Sequence, residues 1–529
     1  MRARSSRRGA RVAPLGACAL LIAACGGGGH RTVAVGDGCT TDRANATASS
    51  PSASGSWPYP NADLANTRDA PGSAISATNV SKLEPAWTFK LNGQAAAGEG
   101  AYGSLAANPV VQGGIVYVQD LDSNVYALAL GSGKLDWEYR CNAPERSGPG
   151  PNGVAVVDGR VYGETPTSVF ALSAVSGKSI WANTHVLSSG EGTFGIQPEA
   201  ADGRVYLASQ YGSGPGGGVL IALNASTGAV LWKFNTLAGP APGVRKLGLG
   251  AGGAWETPLV GDDGSVTYGT GNPYQTPAEA LSHPAAMPYT NSDVKLDAAT
   301  GKLRWYYQSV PNDFKDYDMQ TSPIAARAGG VPVVIGSGKM GYVYEMNADT
   351  GKLIWKTPVG KHNGHDNDSL EALEHKIKLT PPYTILPGSI GGVLSDLAVA
   401  GGSVYVSTIN LPLTYTTFSI PVPVKSAGLL KGEVEALNLA TGKVQWDTKV
   451  ASLPVGAVTV SNDLLLTTTF AGSMFAIDRH TGRIAYRRKL PTTVNAPLAI
   501  AGRTVIIPAG GPGKGRSLAP QVVAYALKR

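Results

Sequence analysis

One unit recurs along this chain and constrains its fold more than any other feature. It is a β-rich run, a short loop, Thr-Gly-Lys, two further residues and a Trp. The instances are Gly133-Lys134 with Trp137, Gly177-Lys178 with Trp181, Thr227-Gly228 with Trp232, Thr300-Gly301-Lys302 with Trp305, Thr350-Gly351-Lys352 with Trp355 and Thr441-Gly442-Lys443 with Trp446. A seventh, Thr481-Gly482-Arg483, carries Tyr486 where the others carry Trp. Each unit reads as two β runs joined by a turn whose Gly can take positive φ, with an Asp or Asn before the turn able to accept its N–H groups. The indole then supplies a large apolar wedge at a constant offset. Repeats of this length with four strands each are propeller blades.

An eighth unit is split between the chain ends. "RTVIIPAGG" and "QVVAYALKR" supply three strands without a closing Trp, and "EPAWTFKL", with Trp87, is the missing strand standing alone near the N-terminus. Joining them closes the ring and removes exposed sheet edges. The expectation is an all-β, eight-bladed β-propeller of four-stranded blades spanning 80–529. The composition agrees: 69 Gly among 529 residues is about 13%, roughly twice the usual 7%, which suits many turns and excludes a helical bundle. With 43% apolar residues and nine Trp, disorder is excluded as well.

The formal charge of +7 would suggest a polyanionic partner, but its location removes that reading. Arg2, Arg4, Arg7, Arg8 and Arg11 precede a short apolar run ending at Ala24, with no acid before Asp37. This is the pattern of an export signal, residues 1–24. Without those five Arg the charge falls to +2, and nucleic acid is not an expected partner. Ile22-Ala23-Ala24-Cys25 resembles a bacterial lipobox, which implies lipidation of Cys25 and a lipid-anchored domain on the extracytoplasmic side of the membrane. Residues 25–79 then form a Gly/Ser/Thr-rich tether and lead-in. Cys39 and Cys141 are left in a compartment that permits a disulfide, although spacing alone does not pair them.

Chemistry is expected where blades are irregular. The Trp-to-Trp spacing is 44 to 51 residues through most of the chain but 73 between Trp232 and Trp305 and 91 between Trp355 and Trp446. The insertions fall at residues 273–291, 359–390 and 408–430, and long loops on a rigid ring commonly line a site. "YYQSVPNDFKDYDMQTSP" places Asp313, Asp316 and Asp318 within six residues. Taken alone it also reads as a solvated polar turn. "KHNGHDND" (His362, His365, Asp366, Asp368) reads as a solvated loop rather than a metal cluster. Gly336-x-Gly338-Lys339 lacks the following Ser or Thr of a phosphate-binding loop.

The blade signature and these stretches resemble the pyrroloquinoline quinone (PQQ) alcohol dehydrogenases, whose Pro-x-Asp-x-x-Asp-Tyr-Asp loop matches residues 311–318. The resemblance implies Asp316 as catalytic base and Asp318 as the extra metal-binding carboxylate of lanthanide-using members. Gly269-Thr270-Gly271-Asn272 matches a motif whose Asn oxygen binds Ca²⁺. Trp255 falls where a Trp stacks under the quinone, and Lys339 where a cation contacts its oxygens. The implied activity is oxidation of an alcohol with PQQ and a Ca²⁺ or lanthanide ion. No Cys-x-x-Cys-His haem site is present, so electrons would pass to a separate acceptor, a cytochrome or a quinone. Departures are equally clear: no vicinal Cys pair, Ser213 and Ala106 where Glu is expected, Asn152 where Arg is expected, and Gly391-Gly392-Val393-Leu394-Ser395 for Gly-Gly-x-Asn-Trp. The repeat is shared with non-catalytic lipoproteins of outer-membrane assembly. A protein-binding envelope scaffold is therefore the alternative expectation.

Overall fold

The structure, a computed structural model, describes residues 39–42, 55–91, 103–143, 153–210, 217–237, 252–418, 421–423, 431–511 and 520–528. The leader, Cys25, Asn152 and Ser213 lie outside these residues. Eight antiparallel sheets follow one another around a ring: blades 1 to 7 span 110–140, 155–183, 199–235, 259–308, 324–358, 398–451 and 459–489. Blade 8 takes three strands from 499–527 and its outermost from Leu83–Lys90, paired antiparallel with Gln521–Leu527. The expected closure by the N-terminal strand is thus present.

Burial follows position in the blade. Second and third strands are covered on both faces by neighbouring blades, so Ser403–Ile409 is buried throughout, whereas the outermost strand Val444–Ala451 alternates toward solvent. A register shift between the third and fourth strands of a blade, as at Glu345/Met346, turns the Trp toward the next blade. There each indole N–H donates to a backbone carbonyl: Trp87 to Leu130, Trp137 to Ala174, Trp181 to Ala225, Trp232 to Ala298, Trp305 to Ala348, Trp355 to Leu439 and Trp446 to Arg479, at 2.7 to 3.0 Å. The Gly of the next Thr-Gly turn lies flat on that indole. The turn itself is held as its sequence suggests, since Asn347 Oδ1 accepts from Thr350 N and Oγ1. At the eighth junction Tyr486 replaces Trp, and Arg488 binds both Tyr486 OH and Leu83 O.

The repeated Gly is required for two separable reasons. Gly351 has φ +69°, and a Cβ there would come 2.7 Å from the Trp305 ring, whereas Gly203 has φ +74° but open space around its Cβ direction. Gly203→Ala should therefore cost only the left-handed strain of about 1–2 kcal/mol. Gly351→Ala should add about 1–3 kcal/mol of overpacking, measurable as a lower urea midpoint.

Residues ahead of the first full blade are also part of the body. Cys39 and Cys141 form a disulfide, and Thr40–Asp42 adds a fifth strand at the outer edge of blade 1. Residues 57–74 then cross one mouth of the ring, with backbone hydrogen bonds between Trp57 and Val111, Ala65 and Ala325, Thr67 and Val399, Ala70 and Val460, and Ala74 and Gly502. These contacts reach the first strands of blades 1, 5, 6 and 7 and the turn after the first strand of blade 8. Arg68, wholly buried, points into the channel. It donates to Asn61 and Asn108 Oδ1 at 2.6 Å, Thr459 Oγ1 at 2.8 Å, and the carbonyls of Val458 and Leu498 at 3.0 and 2.9 Å.

Candidate functional site

The opposite mouth carries the residues singled out from the sequence. In an antiparallel blade, the segment before the first strand and the segment after the second emerge at the same end. Trp255, Asp316 and Asp318 precede the first strands of blades 4 and 5, and Asn272 and Lys339 follow the second strands of those blades. Topology alone therefore brings residues from four separate stretches to one place.

Their contacts interlock. Lys339 Nζ lies 3.0 Å from Asp316 Oδ2 and 2.5 Å from Asp318 Oδ2, and 5.8 Å from the centroid of the Trp255 ring. Asn272 N donates to Asp318 Oδ1 at 2.7 Å. Gly271 permits this approach, because a Cβ there would stand 2.8 Å from Trp255 Nε1 and 3.0 Å from Asp318 Oδ1. Trp255, Asn272, Asp318 and Lys339 are buried, whereas the Asp316 side chain retains 32% exposure. Asp316 also sits at φ +63°, in the left-handed region that a non-glycine residue occupies only under constraint.

The charge balance is uneven. Desolvation pushes the Asp316 carboxyl above its usual range, Lys339 pulls it back down and the neighbouring Asp318 pushes it up. For Lys339, burial alone would lower the pKa, but the two carboxylates overcome it and hold the ammonium well above its usual range. Both assignments leave Lys339 charged between the two acids.

Asp313, the third carboxylate of the loop, faces away from this group and organises the loop itself. It accepts from Lys315 N at 3.0 Å, Tyr317 N at 2.7 Å and Asn291 Nδ2 at 3.1 Å. The insertions brace the same loop from outside. The short helices Pro277–Ser282 and Asp368–Leu373 meet, with Phe314 packed between Ala280 and Ala372. Tyr317 OH donates to Pro387 O at 2.5 Å and Tyr415 OH to Phe314 O at 3.0 Å.

Residues 362–368 differ from the expected solvated loop. His362 Nδ1 is 2.8 Å from Asp366 Oδ1 while its Nε2 faces the carbonyls of Gly341 and Val359, and His365 Nδ1 is 3.0 Å from Asp368 Oδ2. The stretch packs against the carboxylate loop, so these side chains pair locally instead of facing water. Among the described residues no three His, Cys, Asp or Glu side chains gather as a metal-binding set.

Sequence reading missed the polar layer beneath Trp255. Arg68 there faces Asp396 and Glu256, and Asp396 Oδ1 accepts from Ser322 N at 2.8 Å. Burial holds the Glu256 carboxyl well above its usual value, with Asp396 raising and Arg68 lowering it. Nothing local in "NTRDAPG" marks Arg68, because all its partners beyond Asn61 are distant in sequence.

The residues present suit a hard cation and a flat anionic ring. Asn272 Oδ1 is buried without a hydrogen-bond donor, and it stands on the residue whose N–H binds Asp318. Carboxylate and amide oxygens are the donors such ions take. Trp255 offers an aromatic face beside a fixed ammonium.

The profile of the glucose/ethanol/alcohol dehydrogenase β-propeller domain matches residues 57–155 and 202–363, which include all five of these residues, and that of the outer membrane protein assembly factor BamB matches 430–521. The chain is 29% identical over 350 residues to the quinohemoprotein alcohol dehydrogenase of Comamonas testosteroni, a match covering 59% of this chain and 48% of that protein's length. It is 26% identical over 529 residues to the lanthanide-dependent methanol dehydrogenase of Methylacidiphilum fumariolicum, covering 85% of this chain and 83% of the relative. A solved europium-containing methanol dehydrogenase superposes with a TM-score of 0.75 at 20% identity, covering 89% of this chain and 98% of the other, a likeness of fold. Ring, blade unit and sequence similarity together show that the chain belongs to the PQQ-dependent alcohol/methanol dehydrogenase-like β-propeller family.

Proposed function

We propose that this protein is an exported, lipid-tethered dehydrogenase that oxidises an alcohol with PQQ and a Ca²⁺ or lanthanide ion. The observation that carries the reading is the mutual contact of Trp255, Asn272, Asp316, Asp318 and Lys339 at one mouth of the ring. Asn272 and Asp318 would hold the ion, and Trp255 and Lys339 the quinone. Bound there, PQQ would supply a two-electron acceptor and the ion a Lewis acid. The chain's own residues do the rest. Asp316, the most open of the three acids, takes the hydroxyl proton that an alcohol loses as hydride leaves its carbon. Lys339 offers fixed positive charge to the oxygens of an anionic ring. The long insertions keep the Asp316 loop in place. Electrons then leave to a separate acceptor, a cytochrome or a quinone.

The match of residues 430–521 to an outer-membrane assembly factor favours a second reading, a protein-binding scaffold. That stretch consists of blade units, however, and carries none of the five residues. The two readings separate by titrating the purified chain with PQQ and either Ca²⁺ or La³⁺, following quinone absorbance and dye-linked oxidation of ethanol. Saturable uptake with turnover supports the dehydrogenase. No uptake with either ion sinks it and leaves the scaffold.

A further inference from the structure

Lys315, next to Asp316, is a fully buried cation that the proposed chemistry leaves unused. Among the described residues no carboxylate pairs directly with its ammonium. It donates to the carbonyl of His365 at 2.5 Å and toward that of Asp366 at 3.4 Å, and stands 4.7 Å over the ring of Tyr317 and 5.8 Å from that of Phe314. Asp368, Asp313, Asp366 and Glu371 surround it electrostatically and offset part of what burial costs the charged form. Asn312 Nδ2 reaches Ser369 O at 3.5 Å, and Ser369 Oγ reaches Asp313 Oδ1 at 3.5 Å. One side of the Asp316 loop is therefore tied to residues 365–369 of the insertion. The other side is tied by Tyr317 OH to Pro387 O. Between these two anchors Asp316 is held at φ +63° with its carboxylate turned to Lys339 rather than outward.

We propose that Lys315 is a positioning residue for Asp316: the Lys315 ammonium clips the strained loop to the 359–390 insertion and so sets the direction of the Asp316 carboxylate. The inference rests on the reading of Asp316 as the proton acceptor, and it concerns how that residue is aimed. A conformation with positive φ at Asp relaxes unless its neighbours are fixed. A carboxylate displaced by about 1 Å from a reacting hydroxyl costs on the order of 100-fold in rate. A lysine serving only to neutralise the acids of residues 366–371 would stabilise the insertion without affecting alcohol turnover.

The test compares the full chain with Lys315→Met and Lys315→Arg by hydrogen exchange of the peptide covering 312–319 without added cofactor, and by PQQ uptake and ethanol kinetics with whichever of Ca²⁺ or La³⁺ the parent accepts. Expected for Lys315→Met are roughly tenfold faster exchange across 313–317, unchanged PQQ uptake, an ethanol KM within about twofold, and kcat lower by about 10- to 100-fold. Lys315→Arg, which keeps the cation, should restore most of kcat. Unchanged exchange and kcat in Lys315→Met would overturn the proposal. If Lys315→Met does not fold, Tyr317→Phe removes the anchor on the other side and should shift exchange and kcat in the same direction; no shift in either overturns it. If the parent takes up no PQQ, the dehydrogenase reading falls, while the exchange data still decide whether Lys315 clips the loop.

Discussion

Asp316→Asn should leave the protein folded and able to take up PQQ and its ion, while ethanol oxidation falls by about 10³-fold, within the range of about 10²–10⁴ for loss of a general base. The shape of the side chain is kept, and its partial exposure means that no buried cavity or orphaned polar group is created. Lys339 retains Asp318 as a partner at 2.5 Å, so the cation beside Trp255 stays in place. What is lost is the group able to accept a proton at the open side of the cluster. The neighbouring substitution separates base from ion ligand. Asp318→Asn, at a buried carboxylate bound to Asn272 N, should weaken retention of the ion, read as a higher ion concentration for half-maximal uptake. An Asp316→Asn enzyme with parental kcat would remove Asp316 from the chemistry and leave the rest of the site standing.

Sequence and structure agree where the determinant is local and repeated. A Gly at positive φ, an Asp or Asn capping the same turn and a Trp at constant offset form a short-range code, and seven indoles bound to seven carbonyls follow from it. The split eighth blade was legible for the same reason, since "EPAWTFKL" lacks a turn of its own. Convergence of Trp255, Asn272, Asp316 and Lys339 is a consequence of blade topology, and their motifs stand at corresponding strand ends. Less legible was everything governed by distant partners. Lys315 reads as one charge in a polar loop, yet it is buried because two insertions fold over it. His362 and Asp366 read as solvated residues, yet Gly341 and Val359 close around the imidazole. Residues 57–74 read as lead-in because their hydrogen bonds go to blades as far as 430 residues away.

Arg68 is the clearest case of such a residue, and its removal should have the largest effect on stability. Its guanidinium makes five hydrogen bonds to residues of blades 1, 7 and 8 and of its own segment, and the carboxyl groups of Asp396 and Glu256 face it from blades 6 and 4. Burial draws its pKa down to about 10, which still leaves it charged at neutral pH. Arg68→Ala would strand buried acceptors on three blades and leave Asp396 without its cation. Loss of one partner of a buried charged network costs about 3–5 kcal/mol. Unfolding in urea should therefore shift to a markedly lower midpoint, and residues 57–74 should become open to proteolysis. Arg68→Lys, with a single donor group in place of a planar fork, should recover only part of the loss. Because Glu256 directly follows Trp255, the same substitution should also loosen the platform on the far side of the channel, lowering PQQ affinity in Arg68→Lys without a matching fall in kcat for the enzyme that is loaded. A melting profile within about 1 kcal/mol of the parent, a size typical of an exposed ion pair, would show instead that the eight blades hold the channel closed without the N-terminal segment.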